Sequence, residues 1–251
     1  MTRALLFSNS ANHDGTFLSH ARETVADFFA ETRELLFIPW ALADHDSYTA
    51  QVSAAFGAYG IRVRSAHAVG DVAAAVRDAG AVYVGGGNTF RLVQALRRAQ
   101  LMPVMREAVE RGLLYSGASA GSLIASPTMR TTNDMPIVQP ESLDTLGLLP
   151  FQLNCHYEDA DPTSTHAGET RELRIREFHE ENDVAVLGIR EGTWLHIDDA
   201  TGSTTMTLSG TAVSRQAPGP GILHERGIDP VEVAGDLTRL LAATPRFDLQ
   251  T

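Results

Sequence analysis

Short apolar runs recur through the first half of the chain at residues 4–7, 35–38, 61–63, 81–84 and 113–115. Between them, residues 17–29, 48–59, 72–79 and 90–96 carry apolar side chains at three- and four-residue spacing. The first pattern predicts short buried strands and the second predicts helices with one apolar face. Strands that alternate with helices pair in parallel, and a parallel sheet must be covered on both sides. Roughly the first 125 residues therefore predict a doubly wound α/β fold, a mostly parallel sheet flanked by helices.

After Pro150 the rhythm loosens. Residues 151–155 and 184–188 read as strands, 169–182 as a helix, and 193–197 with 204–208 as a hairpin that adds an antiparallel edge to the sheet. Ala217-Pro-Gly-Pro-Gly221 is the densest turn signal in the chain. Only about 30 residues follow it, too few for a second autonomous core, so residues 1–251 are expected to form one domain. The apolar positions of 231–243 predict a closing surface helix.

Composition narrows the function classes. With 43% hydrophobic residues the 251-residue chain can bury a core. Its 20 Lys and Arg against 31 Asp and Glu give a net charge of −11, which repels phosphate backbones and anionic membranes. No nucleic acid or membrane partner is expected. The lone Cys155 cannot form an internal disulfide, and the N-terminal apolar run spans only residues 4–7, far short of a signal or membrane segment. A cytoplasmic monomer or homodimer is expected.

Two glycine clusters stand at the C-terminal ends of predicted parallel strands, where open α/β sheets place ligands. The first, Gly85-Gly86-Gly87-Asn88, lacks both the dinucleotide spacing and the lysine of a phosphate loop, which disfavours nucleotides. The second, Gly117-Ala118-Ser119-Ala120-Gly121, is a G-x-S-x-G sequence between a strand and a helix. Small residues on both sides allow the sharp turn that exposes a serine hydroxyl. That turn puts the Ala120 N–H at a helix start, where it can stabilise an oxyanion, and Gly87 can supply a second donor.

A serine nucleophile needs a base and an orienting acid. Nine histidines are available, and spacing does not choose among His156, at the end of a strand, His196 and His224. An α/β-hydrolase order would favour His224 with Asp183 or Asp198. Glu191, in a Gly-Ile-Arg-Glu-Gly turn after a predicted strand, is a candidate acid. No HExxH or CxxC occurs, so neither a metal nor another cofactor is expected. Cys155 should point away from His156, since adjacent strand residues face opposite sides, and is expected to be buried packing.

Taken together, Leu6-Phe-Ser-Asn-Ser10, Val84-Gly-Gly-Gly-Asn-Thr-Phe90, Gly117-Ala-Ser-Ala-Gly121, Arg130-Thr-Thr-Asn-Asp-Met-Pro-Ile-Val138, Asn154-Cys-His156, Gly168-Glu-Thr-Arg171 and Gly188-Ile-Arg-Glu-Gly192 resemble, in order, the S51 family of serine peptidases, α-aspartyl dipeptidases of the peptidase E type. The resemblance reaches to about residue 195. It implies a class I glutamine-amidotransferase-like fold and a serine dipeptidase that cleaves after an N-terminal aspartate. In that scheme Ser119 is the nucleophile, His156 the base and Glu191 its orienting acid. Gly87 and Ala120 supply the oxyanion hole.

The same resemblance makes Arg171 the reader of the substrate's aspartyl carboxylate, with Asn88, Asp134 and His166 as further candidates. Either Asp134 or Glu169 would hold the free amino group. Ala118 stands where the family often has Trp, and Cys155 where Pro precedes the histidine; both changes would reshape the pocket. Two other readings are a cyanophycinase-like β-aspartyl peptidase and a non-catalytic binder of an acidic metabolite.

Overall fold

The computed structural model describes residues 2–13, 15–160, 168–199, 202–214 and 217–249. In chain order the elements are β1 (Ala4–Phe7), α1 (Arg22–Phe28), β2 (Glu34–Ile38), α2 (His45–Gly57), β3 (Arg62–Ser65), α3 (Val72–Asp78), β4 (Ala81–Val84), α4 (Thr89–Arg98), α5 (Leu101–Glu110), β5 (Leu114–Ala118) and α6 (Ala120–Leu123). Then follow β6 (Gln152–Cys155), α7 (Arg171–Glu181), β7 (Val186–Ile189), β8 (Thr193–Asp198), β9 (Thr205–Gly210), β10 (Gly221–His224), β11 (Val231–Val233) and β12 (Gly235–Asp236).

The larger sheet has the order β12-β9-β8-β1-β5-β4-β2-β3. Strands β1, β5, β4, β2 and β3 run parallel. The hairpin β8–β9 joins β1 antiparallel, and β12 extends it. Alternate residues of the parallel strands enter different cores. Leu6, Leu36, Ile38, Val82 and Val84 pack with α4 and α5, whereas Leu5, Phe7, Leu35, Phe37 and Tyr83 pack with α1 and α2. Burial on both faces is why these strands read as unbroken apolar runs.

A second sheet, β11-β10-β7-β6, is built from the C-terminal half. Its parallel pair β6 and β7 lies beside the antiparallel β10 and β11. The helix expected over 231–243 is replaced by β11, β12 and a 3-10 turn at Thr238–Ala242. The open edge of strand β10 offers a ladder to residues 231–233, and Gly235 turns the chain at a φ of 69°. The helix expected at 17–29 is also shorter. Leu18 sits at a φ of 52°, and α1 starts only at Arg22. Among the described residues no helix is long and apolar enough to cross a membrane.

One consequence concerns acid stability. His224 at the end of β10 is 3% exposed and packs on Tyr157 with ring centroids 5.5 Å apart. Burial pushes its pKa down to about 4, and it lowers those of His179 and His196 as well. The unfolded chain takes up protons near pH 6.5 that the folded His224 refuses. Stability is therefore full above about pH 6.5 and falls as the pH drops toward 4, by on the order of 3 kcal/mol for this group. Thermal denaturation across that interval should show the decline, and His224→Gln should flatten it.

Candidate active site

Strand β5 delivers Ser119 at a tight strand-to-helix bend. Its φ and ψ are 52° and −114°, a conformation L-residues rarely hold. Closeness explains the glycines around it. A Cβ on Gly121 would overlap the Val84 carbonyl, and one on Gly117 would overlap the Gly121 backbone. The bend is braced from beneath. The single Ser122 hydroxyl hydrogen is shared between the carbonyls of Phe7 and Gly117, each 2.7 Å from Oγ, and the Tyr115 hydroxyl donates to Gly121 O at 2.6 Å.

His156 arrives from β6 in the other sheet. Its Nε2 lies 2.9 Å from Ser119 Oγ, and its Nδ1 lies 2.7 Å from Glu191 Oε1. The proton positions follow from chemistry. An ionised carboxylate can only accept, so Nδ1 carries the hydrogen and the neutral ring's Nε2 accepts from the serine hydroxyl. The hydrogen bond from His156 holds the Glu191 pKa below its ordinary value, outweighing the opposing effect of burial. The charge on Glu191 is thus kept where an imidazolium would need it.

Residues without acid–base chemistry hold this relay in place. The His156 N–H donates to Ser8 Oγ at 2.9 Å, and Ser8 Oγ in turn donates to Ile189 O at 2.9 Å. Asn133 Nδ2 donates to Cys155 O at 2.8 Å. Asn9 Oδ1 accepts from the Gly192 N–H at 2.8 Å, which fixes the turn carrying Glu191. Ser8, Asn9 and Asn133 fall inside the quoted motifs, but nothing local to each marks it as a support. Cys155 is buried, with its thiol pKa raised by burial.

The Gly85–Gly87 loop after β4 lies against the bend. A Cβ on Gly86 would come within 3.1 Å of Ser119 Cβ. Gly87 has a φ of 130°, and a Cβ there would sit 2.7 Å from Ala41 O, so only glycine fits. Asn88 N–H is used on Ala41 O at 3.0 Å and Gly85 N–H on Ile38 O at 3.0 Å. Among the described residues, neither the Gly87 nor the Ala120 N–H donates to a backbone carbonyl outside regular elements.

A cavity of about 670 Å³ opens beside His156 and Glu191, with Arg171 and Arg190 in its walls. Arg171 begins α7, behind the Thr170 side chain that caps the helix on Leu173 N–H. Among the described residues its guanidinium forms no ion pair, and partial burial lowers its pKa from the usual arginine value. A cation that is partly desolvated at a helix N-terminus is suited to a carboxylate.

The other sequence candidates lie elsewhere. Asn88 caps α4 through Arg91 N–H at 3.1 Å and donates to Met135 O at 2.9 Å. Asp134 Oδ2 accepts from the Thr89 N–H at 2.7 Å and its hydroxyl at 2.6 Å. Both side chains are committed to the start of α4, outside the cavity lining. Glu169 pairs with Arg174 at 3.6 Å. His166 lies outside the described residues. His196 packs on Phe28 at 5.7 Å between ring centroids and His224 on Tyr157, leaving His156 as the histidine bonded to Ser119.

The model of peptidase family S51 matches residues 4–205. Peptidase E of Streptomyces coelicolor is 51% identical over 249 residues, 98% of this chain and 98% of that protein. A Drosophila melanogaster protein named as a probable alpha-aspartyl dipeptidase is 44% identical over 196 residues, covering 77% of this chain and 82% of its own. The crystal structure of a peptidase from an acI-B1 actinobacterium superposes with a TM-score of 0.62 over 95% of this chain and 97% of that one, at 15% identity, a likeness of fold.

Proposed function

The chain belongs to peptidase family S51, and from that premise we propose that it is a serine-type dipeptidase that hydrolyses the bond after an N-terminal aspartate. The observation that supports this most is the unbroken relay from Ser119 Oγ to His156 at 2.9 Å and from His156 to Glu191 at 2.7 Å. In this reading His156 Nε2 takes the Ser119 proton as Oγ bonds to the aspartyl carbonyl carbon. The resulting oxyanion accepts from the Gly87 and Ala120 N–H groups.

His156 then gives its proton to the leaving nitrogen, the C–N bond breaks, and the aspartyl group remains as an ester on Ser119. Water, deprotonated by His156, attacks that ester. Aspartate leaves, and Oγ recovers its proton from the imidazolium. Glu191 holds the Nδ1 hydrogen throughout and offsets the ring's positive charge. Arg171 binds the aspartyl side-chain carboxylate in place of the water it loses on entry.

The linkage is tested by incubating purified protein with α-Asp-Leu and with β-Asp-Arg. Cleavage of the first, with the second turned over at least tenfold more slowly, is expected. Exclusive cleavage of the β-linked substrate would retire the α-aspartyl reading in favour of a cyanophycinase-like one.

A further inference from the structure

Arg190 immediately precedes Glu191 and lines the cavity, yet the mechanism above does not use it. Its side chain is 2% exposed. All five of its N–H donors are occupied. Nε and Nη2 donate to Asp159 at 2.7 and 2.6 Å, and Nη1 and Nη2 to Glu232 at 2.8 and 2.7 Å. The fifth hydrogen goes from Nη1 to Gly219 O at 2.8 Å. The guanidinium also lies 5.7 Å from the centroid of the Tyr157 ring. With no donor left, it cannot take a substrate carboxylate without breaking bonds already made, so it is not a second copy of Arg171.

Its partners come from separate parts of the chain. Asp159 follows His156 by three residues and stands with Tyr157 in the cavity wall. Glu232 is on β11, and Gly219 belongs to the Pro-Gly turn that the sequence marks so strongly. Both lie beyond residue 205, where the family match ends. The same turn takes the Arg190 backbone, whose N–H donates to Pro220 O at 3.1 Å. A little upstream, the Val213 N–H donates to Glu191 O at 2.8 Å, and Val213 and Ser214 line the cavity.

We propose that the segment beyond residue 205 completes the substrate cavity, with Glu232 acting through Arg190 as a positioning residue that holds Asp159 and the wall from Tyr157 to Ala160. The proposal rests on the dipeptidase reading. Two carboxylates share one cation, so removing either leaves the other still paired while freeing two of the five donors. The relay itself is anchored independently, by Ser8 on His156 and by Asn9 behind Glu191. Releasing Glu232 therefore loosens the wall against which substrate packs and leaves the reacting groups in register. The cost falls on binding rather than on the chemical step.

The test is steady-state hydrolysis of α-Asp-Leu by Glu232→Ala, Glu232→Gln and the wild type, with melting temperatures measured alongside. Glu232→Ala is expected to raise KM at least fivefold with kcat within twofold. Glu232→Gln, which keeps one acceptor, should fall between and serves if the alanine variant does not fold. Because Asp159→Asn acts on the same guanidinium, combining it with Glu232→Ala should raise KM by less than the product of the two single effects. An unchanged KM in both Glu232 variants overturns the proposal, as does a parallel fall of kcat and melting temperature at constant KM, the sign of a purely structural tie. Wild-type turnover in the same assay separates failure of the clamp from failure of the dipeptidase reading.

Discussion

Ser119→Ala is expected to lower kcat on α-Asp-Leu by roughly 10⁴-fold or more while the protein stays folded. The Ser119 hydroxyl bonds His156, and no bond of the surrounding bend depends on it. Alanine keeps the Cβ that lies against Gly86 and meets the same backbone demand at a φ of 52°. What disappears is the oxygen that forms the ester. The residual rate then comes from oxyanion stabilisation and substrate positioning alone. Initial rates and a melting curve measured on the same preparation check both halves. Should Ser119→Ala retain activity within tenfold of the wild type, or should no aspartyl peptide be cleaved by either protein while an acidic ligand raises the melting temperature, a binding role would replace the catalytic one.

Arg171→Ala is expected to cost roughly 10² to 10³-fold in kcat/KM on Asp-Leu, the range for leaving a desolvated charge without its hydrogen-bonded partner. The effect should be selective. A substrate such as Asn-Leu brings no carboxylate, so its slower turnover should change far less. Arg171→Lys should recover only part of the loss, because an ammonium cannot reproduce the planar two-point contact. A panel of Asp-Leu, Glu-Leu and Asn-Leu with the three proteins measures this directly. Equal losses on all three substrates would assign Arg171 to general packing of α7 instead of to specificity.

Whole-molecule charge makes this selectivity a local matter. A net charge of −11 repels an acidic dipeptide at long range, so the attraction must come from a cation within the cavity. Arg190 is neutralised by Asp159 and Glu232, whereas Arg171 forms no ion pair among the described residues. The two arginines thus carry equal formal charge and unequal capacity for a ligand.

The parallel half of the fold is readable from the residues because each strand there is buried on both faces and each helix on one. Those constraints leave local periods of two and 3.6 residues. The Ser119 bend is readable for a similar reason, since close backbone packing leaves no room for a side chain at 117 or 121. Periodicity misleads at the termini of elements. Leu18 and residues 231–243 carry helical spacing, but a turn after Ala11 and the open ladder of β10 offer better hydrogen bonding.

The candidate site divides along the same line. Its serine is local, and residue types alone left three histidines open, a choice that only family resemblance narrowed. Asn88 and Asp134 sit in matching motifs, yet Asn88 Oδ1 and Asp134 Oδ2 accept from the first turn of α4 and Asn88 Nδ2 donates to Met135 O.

From its amino acids alone, this protein has a parallel α/β core and a serine presented on a cramped turn, because both leave marks within a dozen neighbouring residues. Only the folded chain decides that His156 meets Ser119 across 37 positions and Glu191 across 35, and that Glu232 returns over 42 to share Arg190. Contacts at such separations are created by the pairing of sheets, and a side chain that waits for a distant partner carries no local period to announce it.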